Sequence, residues 1–183
     1  MKILAIVGSL RKGSFNKQLA LEAQKALAGK AELEILEYSH IPFMNQDLEN
    51  PAPESITAIR NKVLAADGIW FFTAEYNHFF PGVLKNLIDW LSRPYEAGKK
   101  PQVLAGKPAA ISGITPGMSG TGLAQDHLVT LISFLNMKVM NVPRLMIPTC
   151  LNQVKDGKLE LAASSSYLQK QAAAFVEFIA KSK

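Results

Sequence analysis

The residues best suited to chemistry lie in a loop that follows the first apolar run of the chain. The run Ile3–Val7 leads into Gly8, and the loop Ser9–Asn16 then brings together hydroxyl, amide and guanidinium groups. Such a run is typical of a buried parallel strand, and apolar residues at helical spacing follow in Leu19–Leu27. A strand that enters a helix through such a loop directs backbone N–H groups and a helix N-terminus at one point, which favours an anion.

The side chains of this loop predict a phosphate site. Ser9, Ser14 and Asn16 offer hydroxyl or amide donors, and Arg11 offers a charged fork. An ordinary turn rich in serine and glycine would show a similar composition, so the loop alone leaves both interpretations open.

The loop lacks the residues that define the commonest phosphate-binding motifs. Gly8 and Gly13 have the separation of the nucleoside-triphosphate motif, but Ser14 stands where that motif needs lysine. The second glycine of the dinucleotide motif is missing as well. The single cysteine, Cys150, has Asp156 six positions later rather than arginine, which excludes a phosphatase loop. The remaining candidate is a terminal monophosphate, as in a flavin mononucleotide.

A second loop, Ala74–Gly82, follows the apolar run Gly68–Thr73 and is dense in aromatic and polar residues. A flat, redox-active ring needs a wall to lie along and partners for its edge atoms. Tyr76 and His78 can form the wall, and Asn77 can hold the loop or bond the ring edge. We predict ligand roles for Tyr76 and Asn77, because loops at the carboxyl ends of strands carry ligands.

Other residues of the second loop allow more than one interpretation. Phe79 could add to the wall, but for Phe79 and Phe80 we favour core packing under the next helix. Glu75 could repel a reduced, anionic flavin or cap the following turn. It could equally pair with a lysine or arginine of another subunit.

A third loop, Ser112–Gly122, contains four glycines, which let a backbone approach a ligand closely. Thr115 and Gly117 fall just past the predicted fourth strand, where the edge of a ring would lie. A flexible loop that caps a helix, with Thr121 as its N-cap, explains the same composition equally well. Cys150 follows the predicted fifth strand, and we expect it to lie away from all three loops.

Strand and helix patterns alternate along the chain, and these elements must position the loops. The predicted strands are Ile3–Val7, Glu32–Tyr38, Gly68–Thr73, Pro108–Ile114 and Met137–Val142. The predicted helices are Leu19–Leu27, Glu54–Ala66, Pro81–Ser92, Gly122–Leu135 and Tyr167–Ala180. This alternation predicts an α/β fold: a flavodoxin-like, doubly wound, five-stranded parallel sheet of order 2-1-3-4-5. Its ligand site is expected at the switch point beside the first and third strands.

The composition of the chain limits the classes of protein to which it can belong. The chain has 183 residues, 48% hydrophobic and 19% charged, with one cysteine, which predicts a single domain over residues 1–183 in a reducing cytoplasm. It has no run of roughly 18 apolar residues that would span a membrane and no signal-peptide pattern. His40, His78 and His127 lack cysteines or carboxylates at metal-ligand spacing, so we expect no metal site.

The charge pattern bears on possible partners. The net charge is +5, and the lysines are spread along the chain rather than forming a basic stripe with aromatic residues. We therefore expect no nucleic-acid partner. The excess of positive charge suits anionic small substrates, although a solvated basic surface explains this excess too. It argues against a small flavin electron carrier, since such carriers are usually acidic.

Several stretches of the sequence together resemble a known family. They are Gly8–Asn16, Glu75–Asn77 and Pro81–Pro94, and the likeness extends through Ala105–Pro108 and the third loop. These stretches resemble the NADPH-dependent FMN reductase family, and within it the bacterial quinone and chromate reductases. The resemblance implies a homo-oligomeric flavoprotein that takes a hydride from NAD(P)H onto FMN. It would pass electrons to quinones, azo compounds, free flavins or metal oxyanions such as chromate.

The resemblance also implies site residues. The FMN contacts expected from it and from the loops are Ser9, Leu10, Arg11, Lys12, Ser14, Phe15, Asn16, Glu75, Tyr76, Asn77, His78, Thr115 and Gly117. The family usually has proline where this chain has Ala74, and it pairs glycines that are spaced apart here at Gly120 and Gly122. Because the chemistry belongs to the flavin, we assign no catalytic residue.

The sequence therefore predicts a cytoplasmic, FMN-dependent NAD(P)H oxidoreductase with a small-molecule electron acceptor. We expect a homodimer or homotetramer with Tyr76–Phe80 or Arg93–Tyr95 near the subunit contact, since Tyr76–Phe80 and Leu91–Tyr95 offer apolar surface near the flavin. The alternative is an FMN electron carrier or redox-sensing module without NAD(P)H turnover. A fold that has lost its cofactor and serves as a scaffold is a further alternative.

Overall fold

The computed structural model describes residues 1–96 and 98–182, in which strands and helices alternate as the sequence predicts. The strands are β1 (Lys2–Val7), β2 (Glu32–Ile35), β3 (Gly68–Thr73), β4 (Pro108–Ile114), β5 (Lys138–Val139), β6 (Leu145–Ile147), β7 (Val154–Lys155) and β8 (Lys158–Leu159). The helices are α1 (Phe15–Ala26), α2 (Glu54–Ala65), α3 (Gly82–Leu91), α4 (Gly122–Phe134) and α5 (Ser165–Ser182).

The main sheet is parallel throughout and has the order β2-β1-β3-β4-β5, with β6 also paired to β4. The predicted flavodoxin-like order is therefore confirmed. The predicted fifth strand, Met137–Val142, is wrong in extent: β5 pairs with the start of β4 and β6 with its end. The chain leaves the sheet between them, around Pro143, because proline has no N–H to donate to a strand ladder.

The central strands lie between two hydrophobic cores. Every residue of β3 and β4 is buried, as expected for strands that are covered on both faces. Because side chains alternate along a strand, Trp70 and Phe72 pack with α1 and α5, whereas Ile69 and Phe71 pack with α2, α3 and α4. The sheet is thus held by a hydrophobic core on each face. This packing fixes the positions at which the loops at the carboxyl edge of the sheet begin.

The other elements agree with the sequence to different degrees. Helices α2, α3 and α4 start within one residue of the predicted positions, and α5 is longer at both ends than predicted. The antiparallel hairpin of β7 and β8 was not predicted, because its strands are only two residues long and each contains a lysine. Among the described residues, no helix has the length and apolar character needed to cross a membrane.

Candidate functional site

Three loops meet at the carboxyl edge of the sheet. We define loop 1 as residues 8–14, loop 2 as residues 74–81 and loop 3 as residues 115–121, which follow β1, β3 and β4. These strands are neighbours in the sheet, so parallel pairing brings the loops to one place. The Gly8 N–H donates to the Phe72 carbonyl at 2.8 Å, which joins the start of loop 1 to β3.

Loop 1 turns into α1 through a capped helix N-terminus. The Ser14 Oγ accepts a hydrogen bond from the Lys17 N–H at 3.3 Å, and the Ser14 N–H donates to the Arg11 carbonyl at 3.0 Å. The backbone N–H groups of residues 9–13 donate to no atom of the described residues. Five adjacent amides beside a helix N-terminus are the donor set that an anion prefers.

Arg11 and its neighbours add side chains to this donor set. The Arg11 Cζ lies 5.0 Å from the centroid of the Phe15 ring, a cation–π distance that limits where the guanidinium can go. Arg11 and Lys12 are exposed, Ser9 is half-buried and Leu10 is 48% exposed. Loop 1 therefore presents positive charge and the half-buried Ser9 hydroxyl at its surface, whereas Ser14 is buried.

Asn16 holds the start of α1 against β4, a structural role that the sequence did not indicate. Its buried side chain donates from Nδ2 to the Ile114 carbonyl at 3.0 Å and accepts at Oδ1 from the Ile114 N–H at 3.1 Å. These bonds tie the first turn of α1 to the end of β4, so loops 1 and 3 keep a fixed separation. The phosphate contact expected of Asn16 stays a prediction.

Loop 2 contains a tight two-residue turn. The Tyr76 N–H donates to the Phe79 carbonyl at 2.9 Å, and the Phe79 N–H donates to the Tyr76 carbonyl at 3.0 Å. Asn77 and His78 between them have φ of 52° and 62°, the left-handed conformation that asparagine and histidine adopt more readily than most residues. The turn holds Tyr76 at the surface, 54% exposed.

The aromatic residues of loop 2 divide between core and surface. Phe80 is buried in the core as predicted, with 4% exposure, but the same prediction is wrong for Phe79, which is 44% exposed. The Phe79 ring stacks on the His127 ring of α4, with the ring centroids 4.3 Å apart, and lies tilted against the Phe80 ring at a centroid distance of 4.5 Å. The turn at Asn77 and His78 leaves Phe79 outside the core, where α4 gives it a partner.

Glu75 connects loop 2 to α4. Its side chain is only 6% exposed, and its Oε2 accepts a hydrogen bond from the Ala124 N–H in the first turn of α4 at 3.1 Å. Its Oε1 lies 3.6 Å from His78 Nδ1. Burial acts to raise the pKa of Glu75, but hydrogen bonds from Ser119 and Ala124 and the nearby His78 outweigh it, so this pKa lies below its usual value. Glu75 thus caps the N-terminus of α4, a role not among those considered from the sequence, which included a cap on the turn that follows Glu75.

A glycine in β4 allows this close approach of α4. A Cβ placed on Gly113 would lie 2.0 Å from the Thr121 Oγ1 and 2.7 Å from the Thr73 carbonyl oxygen, so no side chain fits there. Thr121 is fully buried, with φ of 71°. The N-terminus of α4 can therefore pack directly against the ends of β3 and β4.

Backbone hydrogen bonds with the end of β6 and with the segment that follows it hold loop 3 in place. The Thr115 N–H donates to the Ile147 carbonyl and the Cys150 N–H to the Thr115 carbonyl, both at 3.0 Å. The Thr149 N–H donates to the Gly117 carbonyl at 2.9 Å. Thr115 and Gly117 thus lie just past the end of β4 as predicted, held by residues that the sequence did not single out, and their contact with a ligand stays a prediction.

The expected separation of Cys150 from the three loops is wrong. This residue is fully buried and bonds directly to loop 3. Burial raises the pKa of its thiol above the usual value, although the charge of Arg11 in loop 1 acts in the opposite direction. The chain returns to loop 3 after β6 because β6 pairs with the end of β4, a register that the apolar pattern did not predict.

The donors of this edge fit FMN. Unpaired amides, the hydroxyls of Ser9 and Ser14 and the guanidinium of Arg11 suit a terminal monophosphate. Loops 2 and 3 lie beside loop 1, and Tyr76 offers an exposed aromatic face. Sequence reasoning found these residues but missed Ser119 and the Thr149–Cys150 segment, which carry no motif.

Comparison with known proteins agrees with this fit. A model of the NADPH-dependent FMN reductase family matches residues 1–151. The chain is 39% identical to a 2-hydroxy-1,4-benzoquinone reductase of Burkholderia sp, over 80% of this chain and 78% of that protein. It is 36% identical to a quinone reductase of Escherichia coli K12, over 100% of this chain and 97% of that protein.

A solved structure shows the same likeness in three dimensions. The chain is similar to FerB, a flavoenzyme NAD(P)H:(acceptor) oxidoreductase of Paracoccus denitrificans, with a TM-score of 0.87 and 34% identity. The superposition covers 98% of this chain and 97% of FerB.

Proposed function

The chain belongs to the NADPH-dependent FMN reductase family, and on that premise we propose that it oxidises NAD(P)H through bound FMN and reduces a quinone. The observation that carries this proposal is the set of unpaired amides in loop 1, beside the N-terminus of α1 and next to loop 2. The quinone reductases at 36% and 39% identity support a quinone as acceptor.

Each loop has a part in holding the cofactor. We assign the phosphate to Ser9, Leu10, Arg11, Lys12, Ser14, Phe15 and Asn16, and the ring to Glu75, Tyr76, Asn77, His78, Thr115 and Gly117. Bound FMN supplies reversible two-electron chemistry. The chain contributes orientation: amide donors and Arg11 anchor the phosphate, and the fixed loops 2 and 3 flank the ring.

The assembly of the protein is part of the proposal. We infer a homodimer or homotetramer in which Tyr76 and Phe79, both exposed beside the site, contact a second subunit. Leu91 offers no such surface, because it is 1% exposed. It ends α3, about 15 Å from the loop edge by helix rise, and Arg93 beyond it pairs with Glu49. Leu91 therefore adds no surface to a contact at Arg93–Tyr95, and that alternative stays a prediction.

The location follows from the proposed substrate. An enzyme that consumes NAD(P)H needs a compartment that contains it, so we place the protein in the cytoplasm. The single cysteine agrees with a reducing compartment.

Steady-state kinetics test the proposed function. With NADH or NADPH as donor and a water-soluble benzoquinone as acceptor, the FMN-loaded protein is expected to give parallel double-reciprocal plots, because both substrates use one site in turn. Apoprotein without FMN is the control and is expected to be inactive. Intersecting plots, or no oxidation of either nucleotide by the loaded protein, would contradict the proposal.

A further inference from the structure

Helix α4 begins without a cap from its own sequence. Thr121, at the N-cap position, makes no side-chain hydrogen bond to the backbone of the first turn and has a left-handed conformation, with φ of 71°. Its Oγ1 instead accepts from the Gln125 side chain at 3.0 Å. An uncapped first turn leaves backbone N–H groups without partners, so α4 depends on a group from elsewhere in the fold.

Glu75 of loop 2 supplies that group. The Oε2–Ala124 N distance of 3.1 Å is that of a hydrogen bond to the third residue of the helix, the position that a capping side chain normally serves. A carboxylate at a helix N-terminus is also stabilised by the helix dipole. Loop 3 leads directly into α4, and Ser119 of that loop is among the groups that lower the pKa of the same carboxylate. Glu75 therefore joins loop 2 to the place where loop 3 ends and α4 begins.

This junction lies at the two loops to which the flavin ring is assigned. Glu75 directly precedes the Tyr76–Phe79 turn, and Ser119 lies two residues beyond Gly117 in loop 3. The other neighbour of the Glu75 carboxylate, His78, lies in the Tyr76–Phe79 turn. With its side chain 6% exposed, the carboxylate faces the protein rather than a ligand.

We propose that Glu75 is a positioning residue: its buried carboxylate joins loop 2 to loop 3 and the N-terminus of α4, and thereby fixes the separation of the loops that flank the flavin ring. This inference rests on the proposed function, because it assigns the space between these loops to the ring. Because the side chain of Glu75 is used in this junction, any contact that residue 75 makes with the cofactor comes from its backbone. Loop 1, which holds the phosphate, is joined to β4 separately through Asn16.

The test separates binding of the ring from binding of the phosphate. Apoprotein of the wild type, Glu75→Ala and Glu75→Gln is titrated with FMN and with riboflavin, which has the ring but no phosphate, and quenching of flavin fluorescence gives each Kd. Ile179→Val is the matched control, because Ile179 is buried beside Gly68 at the opposite edge of the sheet and its truncation lowers stability without reaching the loops.

Glu75→Ala is expected to raise the Kd of FMN and of riboflavin by the same factor, about tenfold, the scale of one charge-assisted hydrogen bond. Glu75→Gln keeps an oxygen for the Ala124 N–H and is expected to recover part of the affinity for both. If the alanine variant does not fold, the comparison of Glu75→Gln with the wild type carries the test. The control is expected to keep both Kd values.

Different outcomes overturn different claims. Wild-type Kd values in both Glu75 variants, a loss confined to FMN, or an equal loss in Ile179→Val would each overturn the positioning role. A wild-type apoprotein that binds neither flavin would instead overturn the proposed function.

Discussion

At the scale of single residues, the site depends on side chains whose freedom is limited by a neighbour. Arg11 is exposed, yet its guanidinium lies over the Phe15 ring. Asn16 is buried and bonds twice to Ile114. Loop 1 therefore carries the charges of Arg11 and Lys12 at its surface, and the first turn of α1 after it is anchored through Asn16, an arrangement that suits a phosphate site.

Replacing Arg11 with alanine is expected to weaken FMN binding by about 1.5–3 kcal/mol, the scale of a hydrogen bond to a charged group. Riboflavin has no phosphate, so it should bind the wild type far more weakly than FMN, and its Kd should not change in the variant. Titration of the apoproteins measures both constants. Lys30→Ala is the control, since it removes an exposed charge beyond the other end of α1. An unchanged FMN Kd in the Arg11 variant would remove Arg11 from the site.

Cys150→Ser is expected to leave kcat within about twofold, although Cys150 lies against loop 3. Its raised pKa keeps the thiol protonated near neutral pH, where it is a poor nucleophile, and its bond to Thr115 comes from the backbone. The buried hydroxyl should lower the free energy of unfolding by about 1–3 kcal/mol. Steady-state rates and urea unfolding measure the two effects. A large loss of kcat without a loss of folding would indicate thiol chemistry.

At the scale of elements, the strands could be predicted better than the contacts between loops. The bounds of β3 and β4 match the sequence because both strands are largely apolar and every residue in them is buried. The break between β5 and β6 was missed, because an apolar pattern does not show where Pro143 forces the chain out of the sheet. The Glu75 bond to α4 could not be predicted either, since it joins residues that only the tertiary fold brings together.

The free energy of unfolding should decrease at acid pH, because Glu75 becomes protonated there. Its pKa in the folded protein lies below the usual value, so its charged form stabilises the fold above the unfolded pKa of about 4.3. This contribution is lost as the pH falls through the lower, folded pKa. The difference in unfolding free energy between the wild type and Glu75→Gln should therefore be larger at pH 7 than at about pH 3. Urea unfolding at both values measures it, and a difference independent of pH would contradict a charged Glu75.

At the scale of the whole molecule, the sheet order places three loops at one edge and leaves aromatic side chains exposed there. Tyr76 and Phe79 are 54% and 44% exposed, and Phe79 already packs on α4 through His127. The switch-point rule was enough to predict that the loops after β1, β3 and β4 lie at one edge of the sheet. It did not predict which aromatic residues face outward, because that depends on the turn at Asn77 and His78.

Light scattering is expected to show a dimer or tetramer, because exposed aromatic surface beside a cofactor site is best explained by a second subunit. The chain mass is 20.0 kDa. Substituting Tyr76 and Phe79 together with serine should shift the assembly toward the monomer, whereas serine at Tyr167, an exposed aromatic residue of α5, should not. A monomer that oxidises NAD(P)H at low concentration would contradict this prediction.

The central claim is that this chain transfers electrons from NAD(P)H to a quinone through FMN held by the three loops, and an anaerobic titration tests it most directly. The FMN-loaded protein is mixed with equimolar NADH or NADPH while its visible flavin absorbance is recorded, and a benzoquinone is then added. We expect at least one nucleotide to bleach the absorbance and the quinone to restore it. Absorbance that neither nucleotide bleaches would contradict the account and favour a flavin carrier without NAD(P)H turnover.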